Sequence, residues 1–273
     1  MSYEIRYGKA EISLYRTRLA AGPLFGALVQ VDVFGDNFLP AYTEGDNSMV
    51  VATDTMKNFT YAAALEFEGS THEQFADFLA RRFLDTYEQM QRVRIRCREL
   101  PFTEWSDKLL SPSYNDHGLV VLEADRSGVL DLECARENLR LVKLTGSAFA
   151  SFVRDRYTTL PERKDRPLYI HLDVRWRYGE PAQALDKQHV PSVDVAKSVR
   201  ETFDDFVSLS IQHLVHEMGE RLLKQYPQLS EVRFDAQNRL WDTSAQSDKD
   251  ELTRVYSEPK PAHGLIGLKV KRR

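Results

Sequence analysis

The run from Leu168 to Tyr178 constrains the fold more than any other stretch. Leu168, Ile170, Leu172, Val174, Trp176 and Tyr178 alternate without a break with Tyr169, His171, Asp173, Arg175 and Arg177. A period of two held over that length buries a single face only in an extended strand. One apolar and one charged face fit an antiparallel sheet covered on one side, not a parallel sheet buried on both.

The flanking sequence supplies the cover. Residues 3 to 17 and 24 to 35 read as two strands around an Ala20-Ala21-Gly22-Pro23 turn, with Val29, Val31 and Val33 alternating against Gln30 and Asp32. Residues 53 to 66 read as a helix that Thr53 or Asp54 could cap. Thr71 with Gln74 forms a capping box for a second helix, carried by Phe75, Phe78, Leu79, Phe83 and Tyr87 to about Met90. Val93, Ile95 and Cys97 mark a strand, Pro101, Trp105 and Pro112 a loop, and residues 118–125 and 129–143 a hairpin about Arg126-Ser127-Gly128. Beyond Tyr178, helices are expected at 191–207 and 210–225, then strands around Val232 and Phe234 and around Ile266, Leu268 and Val270. Each half therefore reads strand, strand, helix, helix, strand, strand. An internal duplication follows, with halves at 1–130 and 131–273, and an α+β fold of antiparallel sheets with helices on one face.

Composition narrows the function. With 273 residues, 42% hydrophobic and 29% charged, the chain can bury a substantial core. A net charge of −4 argues against a protein built to neutralise nucleic-acid phosphates, and the basic Lys269 to Arg273 tail is short. No apolar run is long enough for a membrane helix, and two cysteines, Cys97 and Cys134, cannot frame a disulfide scaffold, so a cytoplasmic location is expected. His213 and His216 are three apart and lack the His-Glu-x-x-His order of zinc hydrolases. No cysteine pair has zinc spacing and no dinucleotide fingerprint appears, so neither metal nor cofactor is expected.

The chemistry concentrates in residues 144 to 166, LTGSAFASFVRDRYTTLPERKDR. FASFVRDRYTTLPE followed by Asp165-Arg166 resembles the signature region of the urate oxidase (uricase) family. Tyr7-Gly8-Lys9, VVATDTMKN at 50–58 and SIQHL at 210–214 agree in order, so the resemblance covers nearly the whole chain. It implies the tunnelling fold (T-fold), a tandem ββααββ duplication whose sheets join between subunits. It also implies a homotetramer with active sites at subunit interfaces, acting on urate and O2 without a cofactor.

Urate is a flat, weakly acidic heterocycle, and the residues matching the family's clamp suit it. Phe149 can stack on the ring, Arg166 can bind two acceptors with its rigid fork, and Gln212 can donate and accept on one edge. Ile211 matches a residue whose backbone amide faces the ligand. Taken singly, Phe149 would be core, Arg166 a surface ion-pair partner and Gln212 an exposed helix residue; their joint place in matched motifs reverses that reading. Lys9 and Thr53 resemble the proton relay, with a lysine made neutral by burial driving deprotonation through the hydroxyl. Asp54 resembles the relay's purine-contacting neighbour. Asn238 matches the asparagine that holds oxygen or water above the ring.

The sequence departs from the family at one point. Urate oxidases commonly carry a histidine one or two positions after that asparagine, where this chain has Arg239 and Leu240. The third relay member is missing or comes from elsewhere. Two alternatives therefore stand beside urate oxidation: a catalytically impaired purine-binding homologue, and another T-fold purine or pterin enzyme. Gln212 in place of an anchoring glutamate argues against the second.

Overall fold

The computed structural model describes residues 3–17, 24–250 and 253–272, so the turn expected at Ala20 to Pro23 lies outside them. The chain divides into two units, Met1–Ala135 with Arg177–Val190, and Arg136–Trp176 with Pro191–Arg273. No helix among the described residues is long and apolar enough to cross a membrane.

The first unit contains β1 (Arg6–Arg16), β2 (Phe25–Phe34), a short α1 (Leu39–Thr43), α2 (Thr53–Glu66), α3 (His72–Thr86), β3 (Arg92–Glu99), β4 (Phe102–Ser106), β5 (Leu109–Pro112), β6 (His117–Asp125) and the start of β7 (Gly128–Lys143). Its sheet runs β1-β2-β3-β6-β7, with antiparallel pairing of β1 to β2, β2 to β3 and β3 to β6. The alternation seen in sequence becomes burial here: Val29, Val31, Val33, Val93, Ile95 and Cys97 are wholly buried. α3 lies across β3 and β6, and α2 against β1. From α3, Phe75, Leu79 and Phe83 close the other side of this core. Removing each such side chain from water contributes about 1.5–3 kcal/mol.

The second unit contains the rest of β7, then β8 (Leu168–Tyr178) as far as Trp176, α4 (Ser192–Asp205), α5 (Ile211–Gln225), β9 (Leu229–Asn238), β10 (Thr243–Gln246), β11 (Arg254–Tyr256) and β12 (Gly264–Lys271), in sheet order β7-β8-β9-β12. The burial of β8 follows its sequence pattern residue by residue. α5 packs on β9 and β12 with Leu214, Val215, Met218 and Leu222 buried.

The two units repeat small devices as well as large ones. α2 and α4 are each 14 residues, α3 and α5 each 15. Thr71 caps α3 by accepting from the Gln74 amide, and Ser210 caps α5 by accepting from His213. Past the helix ends, Arg126 donates to the carbonyl of Leu84 in the last turn of α3, and Arg272 to that of Leu223 in the last turn of α5. Each guanidinium thus satisfies a carbonyl that the helix end leaves open. The first strand of each unit carries a non-glycine residue at positive φ, Glu11 at 58° and Asn138 at 65°.

Four local expectations need correction. Neither Thr53 nor Asp54 caps α2: the cap position is Ala52, without a side-chain bond, and the Asp54 carboxylate turns to Lys57 and Asn58 instead. The Thr71 capping box is half formed, because Gln74 Oε1 accepts from Ser70 rather than from Thr71. α3 ends at Thr86, short of Met90, where Tyr87 takes an extended conformation. The expected loop from Pro101 to Pro112 folds as the β4–β5 hairpin, which its weak alternation did not signal.

Candidate active site

In the second unit the segment after β7 is pinned at three points. Ala148 donates to the Ser208 carbonyl at 2.8 Å, Phe149 and Arg163 exchange both backbone bonds at 2.8 and 2.9 Å, and Arg166 donates to Ser147 at 2.9 Å. Asp165 locks the turn that starts this segment. Its carboxylate accepts from Thr145 Oγ1 at 2.5 Å, Gly146 N at 2.8 Å and Ser147 N at 3.3 Å. The bond from Thr145 outweighs the opposing effect of burial and, with smaller contributions from the backbone amides, holds the Asp165 carboxyl below the usual carboxylate range.

This frame sets the clamp residues. The Arg166 guanidinium carbon stands 5.6 Å from the Phe149 ring centroid, and Phe149 stacks on Phe152 at 4.9 Å. Arg166 Nε is buried with no hydrogen-bond partner, and burial pushes the guanidinium pKa down from its ordinary value. A desolvated cation with an unused donor beside an aromatic face suits a planar anion. The two residues line a cleft of about 230 Å³ that Leu240, Trp241, Arg254 and Tyr256 also line.

α5 brings its N-terminus to the same end of the unit. The Ser208 bonds lie two residues before the Ser210 cap, so Ile211 and Gln212 begin the helix beside the Phe149 segment. Ile211 is buried and Gln212 exposed. β9 runs back along α5 and ends there, at Asn238, opposite Gly264 of β12. Asn238 Oδ1 is buried without a partner. Phe149, Arg166, Ile211, Gln212 and Asn238 all belong to this unit, and of the five Phe149 and Arg166 line the cleft.

Next to Asn238, Arg239 donates its amide to Tyr169, and its Nε is buried and unpartnered. Tyr169 OH lies 3.0 Å from His171 Nε2. Burial first, then the positive charges of Arg239, Arg140 and His263, lower the His171 pKa.

Lys9, Thr53 and Asp54 belong to the first unit. Tyr7 Oη accepts from the Val51 amide at 3.2 Å, tying β1 to the entry of α2, where Thr53 is the first residue. The Lys57 side chain, bonded at 2.6 Å, holds the Asp54 carboxyl low, with a smaller contribution from Lys9, so Lys9 lies within electrostatic reach of the α2 start. β1 shifts register between Lys9 and Ile12 across Glu11, a bulge that re-aims the strand beside Lys9. Gly8 is required by close approach: a Cβ there would sit 1.9 Å from the Val31 carbonyl oxygen.

Three participants were not assigned from sequence. Asp165 appeared only as part of a motif, and its role as a pin exists only once Thr145 to Ser147 lie beside it. Trp241 and Tyr256, 5.7 Å apart by ring centroid, form the cleft wall through the short β10–β11 pair, which carries no strand pattern. Among the described residues, no cluster of three or more His, Cys, Asp or Glu could hold a metal ion.

The chain matches the model of the family described as Uricase over residues 35–128 and 133–267. It is 39% identical to the uricase of Haloferax volcanii over 296 aligned residues, covering 96% of each protein. It is 36% identical to the uric acid degradation bifunctional protein PucL of Bacillus subtilis across 100% of this chain, and spans 62% of that longer protein. A crystal structure of a uricase from Bacillus fastidious superposes with a TM-score of 0.92 at 33% identity, over 99% of this chain and 94% of that one. That likeness, with the ββααββ order present in both units, makes the fold the tandem tunnelling fold. By sequence and by fold, the chain belongs to the uricase family.

Proposed function

We propose that the chain oxidises urate: urate, O2 and water give 5-hydroxyisourate and hydrogen peroxide, a step of purine degradation. The observation that carries this reading is the half-buried Arg166, its Nε desolvated and without a hydrogen-bond partner, beside Phe149 in a cleft sized for one small ring. Phe149 stacks on the purine, while Arg166 and Gln212 bind its polar edges and the Ile211 amide adds a donor. Asn238, its Oδ1 lacking any protein partner, holds oxygen or water above the ring. Lys9 and Thr53 remove the proton that urate must lose before passing an electron to oxygen, and Asp54 contacts the purine beside them. The reaction needs no added cofactor, because the electron-rich urate anion is itself the reductant.

Lys9, Thr53 and Asp54 reach the clamp from an adjacent subunit of a homotetramer. Two features support assembly. β1 and β12 end the hydrogen-bonded strand order and leave edges to be covered, and Val153, Tyr157, Val207 and Leu209 are exposed around the clamp. The halves 1–130 and 131–273 are the two copies of a duplicated ancestor, on the strength of the repeated caps, helix lengths and strand irregularities. The two buried free thiols, Cys97 and Cys134, suit a reducing cytoplasm.

The test is loss of urate absorbance in air with peroxide measured in parallel, on protein purified in chelator and scanned across pH. Equal turnover and peroxide support the reading. Urate bound without turnover would replace it with the purine-binding reading, and would assign the defect to Arg239 and Leu240.

A further inference from the structure

The first unit holds a cleft of about 450 Å³, larger than that of the clamp, at the same place in its own ββααββ frame. In the second unit the cleft lies by the start of β8, past the end of β9 and along the β10–β11 hairpin, with no lining residue from α5. In the first it lies by the start of β2, the N-terminus of α3, the end of β3 and the β4–β5 hairpin. The capping residues Thr71 and Ser210 match, as shown above.

We propose that this cleft is a second, non-catalytic binding site for a flat oxopurine-class ring. Its chemistry parallels the clamp. The Arg16 guanidinium carbon stands 5.5 Å from the Phe67 ring centroid, and among the described residues Arg16 has no carboxylate partner. It offers a planar donor fork toward ring carbonyls. Phe25, stacked on His72 at 4.7 Å, and Phe102 supply aromatic walls. The carboxylates of Glu68 and Glu104 line the same cleft and accept ring N–H groups. Cation, aromatic faces and acceptors together select a planar heterocycle bearing both carbonyl and N–H edges.

The positions that carry chemistry in the second unit are filled differently here. At the second residue of α3, where α5 has Gln212, stands Glu73, buried and turned to His189 at 3.2 Å. At the last residue of β3, where β9 has Asn238, stands Glu99, which accepts from the Gly118 amide at 2.6 Å. Neither side chain offers a free amide to hold oxygen over a ring, so the site binds without oxidising. The choice of ring class rests on the urate reading above.

The experiment is equilibrium dialysis of the full chain with urate in oxygen-free buffer, for wild type, Arg16→Ala, Arg166→Ala and the double variant. The expected result is two urates per wild-type chain, one for each single variant and none for the double, with kcat in air unchanged by Arg16→Ala. Glu104→Ala, a rim change remote from the core that removes the acceptor, should weaken the same event at least about tenfold, which guards against an Arg16→Ala fold defect. One urate per wild-type chain, or residual binding in Arg166→Ala that ignores Arg16→Ala and Glu104→Ala, overturns the proposal. Two urates retained in Arg166→Ala would sink the clamp assignment instead, and the second site would then stand or fall on loss of one urate in Arg16→Ala.

Discussion

Asp165→Ala should damage urate binding without touching the chemistry. The carboxylate takes three donors, from Thr145, Gly146 and Ser147, and all three hold the turn to which Arg166 is bonded through Ser147. Hydrogen bonds to a charged group are worth about 1.5–3 kcal/mol each, but Asp165 is exposed and water replaces the lost partner, so a combined loss of about 2 kcal/mol is expected. If that loss falls on a clamp whose closed and open forms are near equal in stability, the closed-to-open ratio drops by about thirtyfold, and KM for urate rises by about tenfold to thirtyfold with kcat within about twofold. Asp165→Asn keeps one acceptor oxygen for the backbone amides and should fall between. The assay is urate absorbance with peroxide detection, beside a urea unfolding curve to show that the fold is kept. Because the Asp165 pKa is depressed in the folded state, its contribution is full above about pH 4 and is lost as pH falls through the folded value. An unchanged KM, or a fall in kcat at constant KM, would refute the pinning argument.

Gly8→Ala should cost about 2 kcal/mol or more, read as a lowered urea midpoint, because its Cβ would meet the Val31 backbone oxygen at 1.9 Å and no flexible side chain can yield; an unchanged midpoint would show that β1 shifts freely. The His171 pKa is lowered in the fold, so as pH drops below about 6.5 the unfolded ring takes its proton first and stability declines until the folded ring is protonated too. His171→Gln should flatten that decline between pH 7.5 and 5.5, and a slope equal to wild type would count against it. Burial pushes the Cys97 and Cys134 thiols up, so neither should react with a disulfide reagent until urea unfolds the chain; rapid labelling of the native protein would contradict the core packing.

Much of the fold was legible because its elements are long and cleanly periodic. The β8 alternation, the α3 aromatics and the Val29 to Val33 stripe each describe a face that only one local geometry can bury. Where the period failed, so did the reading. The β4–β5 and β10–β11 hairpins are short and exposed, so their residues feel no core to enforce alternation. The Ala52 cap is likewise invisible, because the side chains expected to cap α2 find partners in Lys57 and Asn58 instead.

Clamp residues were readable as a set of types in matched motifs, but their working order was not. The sequence by itself determined the element order, the buried faces and the kinds of group available: an aromatic ring, a planar cation, an amide and a lysine. Tertiary structure decided which of these are desolvated and what they face. The Phe149 segment and the start of α5 come together because Ser208 and Asp165 tie distant backbone segments to one turn, and Arg166 Nε is left buried without a hydrogen-bond partner among the described residues. Periodicity records a neighbour's polarity within a few residues, whereas burial without a partner depends on chain segments many tens of residues apart.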